Sequence, residues 1–365
     1  MASVRGATEF GHAARLKHAR QMRSLVLLPV VCFAMGAAPS VTQAQQGVAV
    51  PPTTAVVTGG SVVATPVADI LRKIQQAAHQ LDYTGVFTYQ QDSSIESSRI
   101  THAHDGKDER ERIEVLDGEP LEYVRVNDEV QCLIPGHRTV LIERQRADRF
   151  PGLLLSDAKS IDSNYGLNVL SEPYRVAGRE CRQIEIRPRD AHRHGYRLCA
   201  DSETHLLLKA QTIAHDGNVL EQISFTQIEI GGPIAASQLA PGYVTKDWTL
   251  VRPQLNPVNL AELGWRIPAP PGFVSTLQVA RVFSEDRPVN QLVLSDGLST
   301  ISIFIEPYQN ARSEYHVPGA ARIGSVNVFG IKVANFWLTV LGEVPAGTLA
   351  QLAQSIQYVQ ATGKQ

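Results

Sequence analysis

The sequence has little charge asymmetry, little cysteine and few catalytic signatures. Lys and Arg number 34 against 36 Asp and Glu, a formal net charge of −2. Nothing in that balance favours nucleic acid. Four cysteines occur in 365 residues, with no Cys-x-x-Cys among them, so the usual thiol-redox signature is missing. Gly-x-Ser-x-Gly, the Walker loop and His-Glu-x-x-His are missing too. With them go the customary signals of serine hydrolases, P-loop enzymes and zinc proteases, although their absence does not exclude an enzyme. After Ala44 no apolar run is long enough to cross a bilayer; Val333 to Leu341 falls well short.

What is present begins with an export signal. Met22 to Ala44 reads MRSLVLLPVVCFAMGAAPSVTQA, with a positive Arg23, an uncharged stretch from Leu25 to Ala38, and small residues at Thr42 and Ala44. That is a secretory signal rather than a spanning helix. Residues before Met22 read as an extended positive region or as an early start codon. Val31 before Cys32 does not fit the small-residue pattern that precedes a lipidated cysteine. The expected product is a soluble periplasmic protein, away from ATP, NAD and the cytoplasmic thiol buffer. Roughly 320 residues remain after cleavage, enough for two domains of ordinary size.

Residues 45–66 read as a flexible linker, and Thr65-Pro66 as a helix start. Val67, Ile70, Leu71, Ile74, Ala77, Ala78 and Leu81 follow at helical spacing. From Tyr83 the period becomes two. Tyr83 to Tyr89, Glu111 to Val115, Leu121 to Asn127, Val130 to Ile134, Thr139 to Ile142, Cys181 to Arg187, Tyr196 to Ala200, Leu206 to Ala214 and Val219 to Ile230 read as strands. Asp216-Gly217 marks a hairpin, and a phase slip near Thr226-Gln227 marks a bulge. Leu153 to Leu170 reads as a short helix or a lid-like loop. These elements place one domain at 67–232 and an interdomain connector at 233–257. A second domain at 258–360 has strands at 277–283, 291–295, 300–306, 321–329 and 331–341, and a final helix near 345–356. The fold class is α+β: a long antiparallel meander with one helix, then a smaller antiparallel domain with a terminal helix.

Four residue groups are candidates for chemistry. Cys181 and Cys199 lie equally far from a hairpin tip at Asp190 and are the favoured disulfide; the alternative is that they and Cys132 are buried thiols. His102-x-His104 and His192-x-His194 have the spacing of metal ligands on one strand face, but no third ligand is apparent, and no metal is assigned. Arg179, Arg182, Arg187, Arg189, Arg193 and Arg197 surround the same hairpin. Arg187, Arg189 and Arg193 are candidates for an anionic headgroup; the ordinary alternative is a solvated tip balanced by Glu180, Glu185 and Asp190. Finally, one helix of about four turns cannot cover a sheet of nine or more strands. The uncovered apolar face reads as a hollow for something greasy, with Phe87, Tyr89, Tyr123 and Val126 as candidate lining.

Several runs carry a resemblance. They include Tyr83-Thr84-Gly85-Val86-Phe87-Thr88-Tyr89, Arg187-Pro188-Arg189-Asp190, Arg193-His194-Gly195-Tyr196-Arg197-Leu198 and Leu220-Glu221-Gln222. In the second half they are Gly264-Trp265 to Phe273, Ser295-Asp296-Gly297-Leu298, Ser302 to Pro307 and Val340 to Pro345. Over about 67–359 the chain resembles the RseB/MucB family of periplasmic sigma-factor regulators. It departs at His205, where a turn glycine is common, and at Cys199, where an aromatic is usual. The resemblance implies a LolA/LolB-like unclosed half-barrel packed on a helix. It implies a non-enzymatic negative regulator that needs no cofactor. The regulator would bind the periplasmic segment of a membrane anti-sigma factor (RseA- or MucA-like), with Leu298, Ile301, Ile303 and Phe304 as candidate partner-binding residues, shield it from proteolysis, and release it on binding lipid or lipopolysaccharide. Homo-oligomers are possible partners, and nucleic acid is not. A periplasmic lipid or lipoprotein carrier is the alternative.

Overall fold

The computed structural model describes residues 67–144, 150–151, 158–282, 288–309, 316, 318–323 and 326–359. The signal segment, the linker and the Thr65-Pro66 helix start lie outside the described residues. Helix α1 (Val67–Gln80) buries Leu71, Ile74, Ala77 and Ala78 in one stripe, as the spacing predicts. Burying Leu71 and Ile74 contributes about 1.5–3 kcal/mol each. Asp69 in the first turn and His79 in the last suit the helix dipole.

Strands β1 (Tyr83–Gln91), β2 (Ser94–His104), β3 (Glu109–Val115), β4 (Glu122–Val126), β5 (Glu129–Ile134) and β6 (Thr139–Arg144) form one antiparallel meander. Helix α2 (Ala158–Asn164) leads into β7 (Tyr165–Val169), β8 (Tyr174–Val176), β9 (Arg179–Pro188), β10 (Gly195–Asp201), β11 (Leu207–Ile213) and β12 (Val219–Ile230). β12 returns to pair with β1 and fuses both halves into one open 13-stranded sheet. The bulge lies at Thr226: Val86 pairs with Gln227 and Phe87 with Phe225, leaving Thr226 unopposed. Gly85 sits beside this bulge, where a Cβ would stand 2.5 Å from the Gln227 carbonyl oxygen. β2 has no counterpart in the strands read from sequence. Its residues, SIESSRITHAH, are too polar to display a period of two.

Residues 233–257 are more than a connector. After a short helix α3 (Ala236–Leu239), β13 (Thr249–Val251) pairs in parallel with β6 at the edge of the large sheet. β14 (Gln254–Pro257) then pairs with β16 (Val274–Val282) of the second sheet. That sheet runs β14-β16-β17-β18-β21-β20-β19, with β17 (Pro288–Ser295), β18 (Thr300–Pro307), β19 (Gly319–Ile323), β20 (Val326–Val333) and β21 (Phe336–Gly342). Helix α4 (Ala346–Ser355) covers one face through Leu349, Leu352 and Ala353. A two-stranded pair, β15 (Trp265–Arg266) with β22 (Gln357–Tyr358), closes that end. The boundary expected at Gly330 is wrong. Gly330 lies inside β20, and the turn is Ala334-Asn335, because Val333 pairs with Phe336. Ala334 adopts φ +52° without the glycine that normally announces such a turn.

Candidate functional site

The large sheet packs one face against α1 and α2. Phe87, Phe150 and Phe225 meet there, with ring centroids 5.5 Å (Phe87–Phe150), 6.0 Å (Phe87–Phe225) and 5.0 Å (Phe150–Phe225) apart. Phe87 is 1% exposed, and Tyr123 is buried in the same cluster. The hollow expected on this face is therefore filled by the protein's own side chains. The reason is that α2 and Phe150 add cover that the strand-to-helix ratio did not count. Tyr89 is half-buried, and its hydroxyl donates to Glu221 Oε2 at 2.5 Å. Val126 is 44% exposed and lies three residues from Tyr123, on the opposite face. An odd spacing on a strand cannot place both residues on one surface.

Ile301 and Ile303 are fully buried in the core of the second sheet, packed with Leu349 and Leu352 of α4. Phe304 is also buried, on the other face with Val289 and Leu341. None of the three is presented to a partner in this conformation. Leu298 alone of that group reaches out of its domain, packing against the core of the large sheet.

The arginine cluster divides. Arg187 is exposed and pairs with Glu185 at 2.7 Å, and Arg197 pairs with the same carboxylate at 3.0 Å. Arg189 donates through Nε to the Tyr165 carbonyl at 3.1 Å. Arg193 is 0% exposed and cannot meet a headgroup in this conformation, because it is drawn into the second domain. Cys181 and Cys199 are joined, with Cα atoms 5.5 Å apart. Cys181 pairs directly with Asp201, and Cys199 with Gln183, so the bridge runs diagonally across the ladder. His205 adopts φ +66°, taking the left-handed turn conformation without glycine.

The His-x-His pairs serve other ends. His102 is buried, stacks on Tyr83, and meets Leu81 O at 2.8 Å and Glu109 Oε1 at 3.0 Å. Glu109 also faces His79 Nδ1 at 2.8 Å and Arg125 Nη2 at 2.6 Å. Burial opposes ionisation of Glu109, but hydrogen bonds from His102, His79 and Arg125 prevail and hold its carboxyl far below the usual range. The cluster pins the end of α1 to β2, β3 and β4. Among the described residues no group of three His, Cys, Asp or Glu could hold a metal. His194 is buried, and neither ring nitrogen has a hydrogen-bond partner among the described residues. Burial, assisted by His215 and Arg322, pushes it down to about 4. It lines a cleft of about 350 Å³ between the domains with His215, Asp216, Arg322, Asn327 and Pro345.

The seam beside that cleft holds residues that the sequence reading did not single out for function. Asp296, on the turn between β17 and β18, accepts from the Leu298 and Ser299 amides at 2.9 and 2.7 Å. The Tyr165 hydroxyl donates to it at 2.7 Å. Burial, with Tyr196 and Asp296 nearby, pushes that hydroxyl well above the ordinary phenol value, which keeps it a donor. Tyr196 and Ser299 share a hydrogen bond at 2.7 Å, and Asn164 Nδ2 donates to the carbonyls of Gly272 and Asp296, both at 3.3 Å. The available signal was the Asp-Gly-Leu-Ser turn at 296–299, whose first side chain is suited to cap its own backbone.

Comparison with known proteins fits this architecture. A family model for the MucB/RseB N-terminal domain matches residues 66–243, and one for the MucB/RseB C-terminal domain matches 259–357. The Sigma factor AlgU regulatory protein MucB of Pseudomonas aeruginosa is 32% identical over 313 residues, covering 82% of this chain and 95% of that protein. The Sigma-E factor regulatory protein RseB of Escherichia coli K12 is 24% identical over 306 residues, covering 81% and 92%. Among solved structures, the Pseudomonas aeruginosa MucA/MucB complex aligns with TM-score 0.62 at 31% identity, over 80% of this chain and 99% of that one. MucB in complex with MucA(peri) aligns with TM-score 0.61 over the same shares.

Proposed function

The chain belongs to the MucB/RseB family, and from that membership we propose that it is a periplasmic negative regulator of an envelope-stress sigma factor. It binds the periplasmic segment of a membrane-anchored anti-sigma factor and shields that segment from regulated proteolysis. An acyl-chain ligand, such as the lipid part of lipopolysaccharide, releases it. It acts by binding, without catalysis or cofactor. The observation that carries this reading is the 32% identity to a sigma-factor regulatory protein across both domains. A structure of MucB bound to MucA(peri) at 31% identity supports the partner class. The lipid arm meets one physical demand: with Phe87, Phe150 and Phe225 in contact, an acyl chain reaches the inner face of the large sheet by displacing an aromatic ring. A ligand shifts the protein between bound and released forms only as far as it favours one of them.

The test is gel filtration of the mature chain with the periplasmic segment of the anti-sigma factor from the same organism. Co-elution is expected, reversed by added lipopolysaccharide. Two separate peaks, together with sigma-dependent transcription that does not rise when the gene is deleted, would sink the proposal. Co-elution that lipopolysaccharide leaves intact would remove the release arm alone.

A further inference from the structure

Two opposite charges sit wholly out of water at the domain seam. Arg193 and Asp296 are each 0% exposed, and Arg193 Nη1 stands 3.2 Å from Asp296 Oδ2, a charge contact without hydrogen-bond alignment. Arg193 also pairs through Nε with Asp190 at 3.1 Å and donates through Nη2 to the Pro271 carbonyl. Its guanidinium carbon lies 5.1 Å from the Phe273 ring centre and 5.6 Å from that of Tyr165. The fit is close: a Cβ on Gly272, which has φ +78°, would stand 2.3 Å from Asn164 Oδ1 and 2.8 Å from Arg193 Nη2. Desolvating such a pair costs several kcal/mol per ion and is offset only in one good geometry. A buried ion pair is offset in few orientations, whereas an apolar seam tolerates many. Tyr165 belongs to both sides. It is buried in the same core cluster as Phe87, Phe150 and Ile161, and its hydroxyl holds Asp296. Leu298, two residues beyond Asp296, packs on that cluster as well.

We propose that Arg193 and Asp296 form a buried latch that fixes one arrangement of the two domains, and that Tyr165 couples this latch to the packing of the aromatic cluster on the large sheet. Any molecule that enters that cluster then works against the latch, and releasing the latch eases its access by the same factor. The latch stands on the seam geometry alone; its coupling to a ligand rests on the acyl-chain reading above. Other ties across the seam, Arg281 Nη1 to Glu143 Oε1 at 3.1 Å, Tyr196 to Ser299 at 2.7 Å and Asn164 Nδ2 to the Gly272 carbonyl at 3.3 Å, remain when the latch is removed, so loosening rather than separation is the expected result.

The experiment uses the mature chain with nitroxides at K107C and Q354C, exposed sites on the two domains; buried Cys132 stays unlabelled. The wild type should give one narrow inter-spin distance and one calorimetric transition. The R193M/D296L variant removes both charges together and so leaves no buried ion unpaired. It should broaden the distance distribution and split the transition in two. Y165F is the milder variant if the double change fails to fold, and should broaden the distribution less. A distribution and a single transition that match the wild type in the variants would overturn the latch. Dodecanoate is then titrated into both proteins, with tighter binding expected in the loosened variant, about fivefold or more. Equal affinity would overturn the coupling. Failure of dodecanoate to bind either protein would sink the acyl-chain reading and the coupling with it, while the distances still decide the latch.

Discussion

The two sheets solve the same packing problem differently. The large sheet has strands that alternate: β1 buries Tyr83, Gly85 and Phe87 and leaves the residues between them half-exposed. One face meets α1, α2 and the phenylalanine cluster. The other face carries charge ladders such as Arg99–Glu114, together with a small cluster of Val124, Leu133, Val140 and Ile142 near Trp248. The smaller sheet buries its central strand on both faces, so β18 shows five consecutive buried residues from Ile301 to Ile305. Helix α4 covers one face; on the other, Phe304 packs with Val289 and Leu341 while Arg281 and Gln291 hydrogen-bond out of water. Alternation marks a surface with one wet side, and a continuous apolar run marks a strand with none. The difference explains why candidate partner residues chosen from β18 lie in a core.

The comparison can be broken most forcefully in the aromatic cluster. Phe87→Ala should cost about 4 kcal/mol, read as lost stability in urea, with the loss in the large sheet rather than the smaller one. A smaller effect follows from reducing Cys181–Cys199. The loop closed by a separation of 18 residues is worth about 3 kcal/mol in the chain-entropy picture. Hydrogen exchange should therefore quicken in β9 and β10 and not in β18.

Acid sharpens the contrast at the seam. The folded state holds His194 at about 4 against an ordinary 6.5, so the unfolded chain takes up a proton first. Stability is intact above pH 6.5 and falls as the pH drops towards 4, by at most about 3 kcal/mol. His194→Leu should flatten that slope; an unchanged slope would refute the assignment. Glu109 has the same sign with a lower window, because its depressed carboxyl contributes stability above the unfolded range near pH 4 and loses it below. The smallest effect is expected at the β20–β21 turn. Ala334→Gly relieves a left-handed residue and should stabilise the smaller domain by about 1 kcal/mol in thermal melts.

Much of the fold was legible because it is local. The stripe from Ile70 to Leu81 specifies α1, and Asp216-Gly217 specifies the β11–β12 hairpin. The slip between Phe225 and Ile228 specifies the bulge at Thr226. Polar β2 and the Ala334-Asn335 turn were hidden, since neither carries the residues that usually mark such elements. The candidate site was less legible. Choosing Phe87 with Tyr123 found the covered face, but Val126 joined them against the parity of the strand. Arg193 looked like one more surface arginine among six.

The sequence by itself determined helix α1, the two antiparallel domains and the family, and it favoured the Cys181–Cys199 bridge. Each of these is written in short-range pattern or in runs of recognisable residues. The tertiary structure alone decided that Phe87 and Tyr123 are covered in a cluster with Phe150 and Ile161 of α2, and that Arg193 is a seam residue rather than a surface one. Burial of a charge depends on a counter-charge that the fold brings from far along the chain, and no window of sequence around Arg193 contains Asp296.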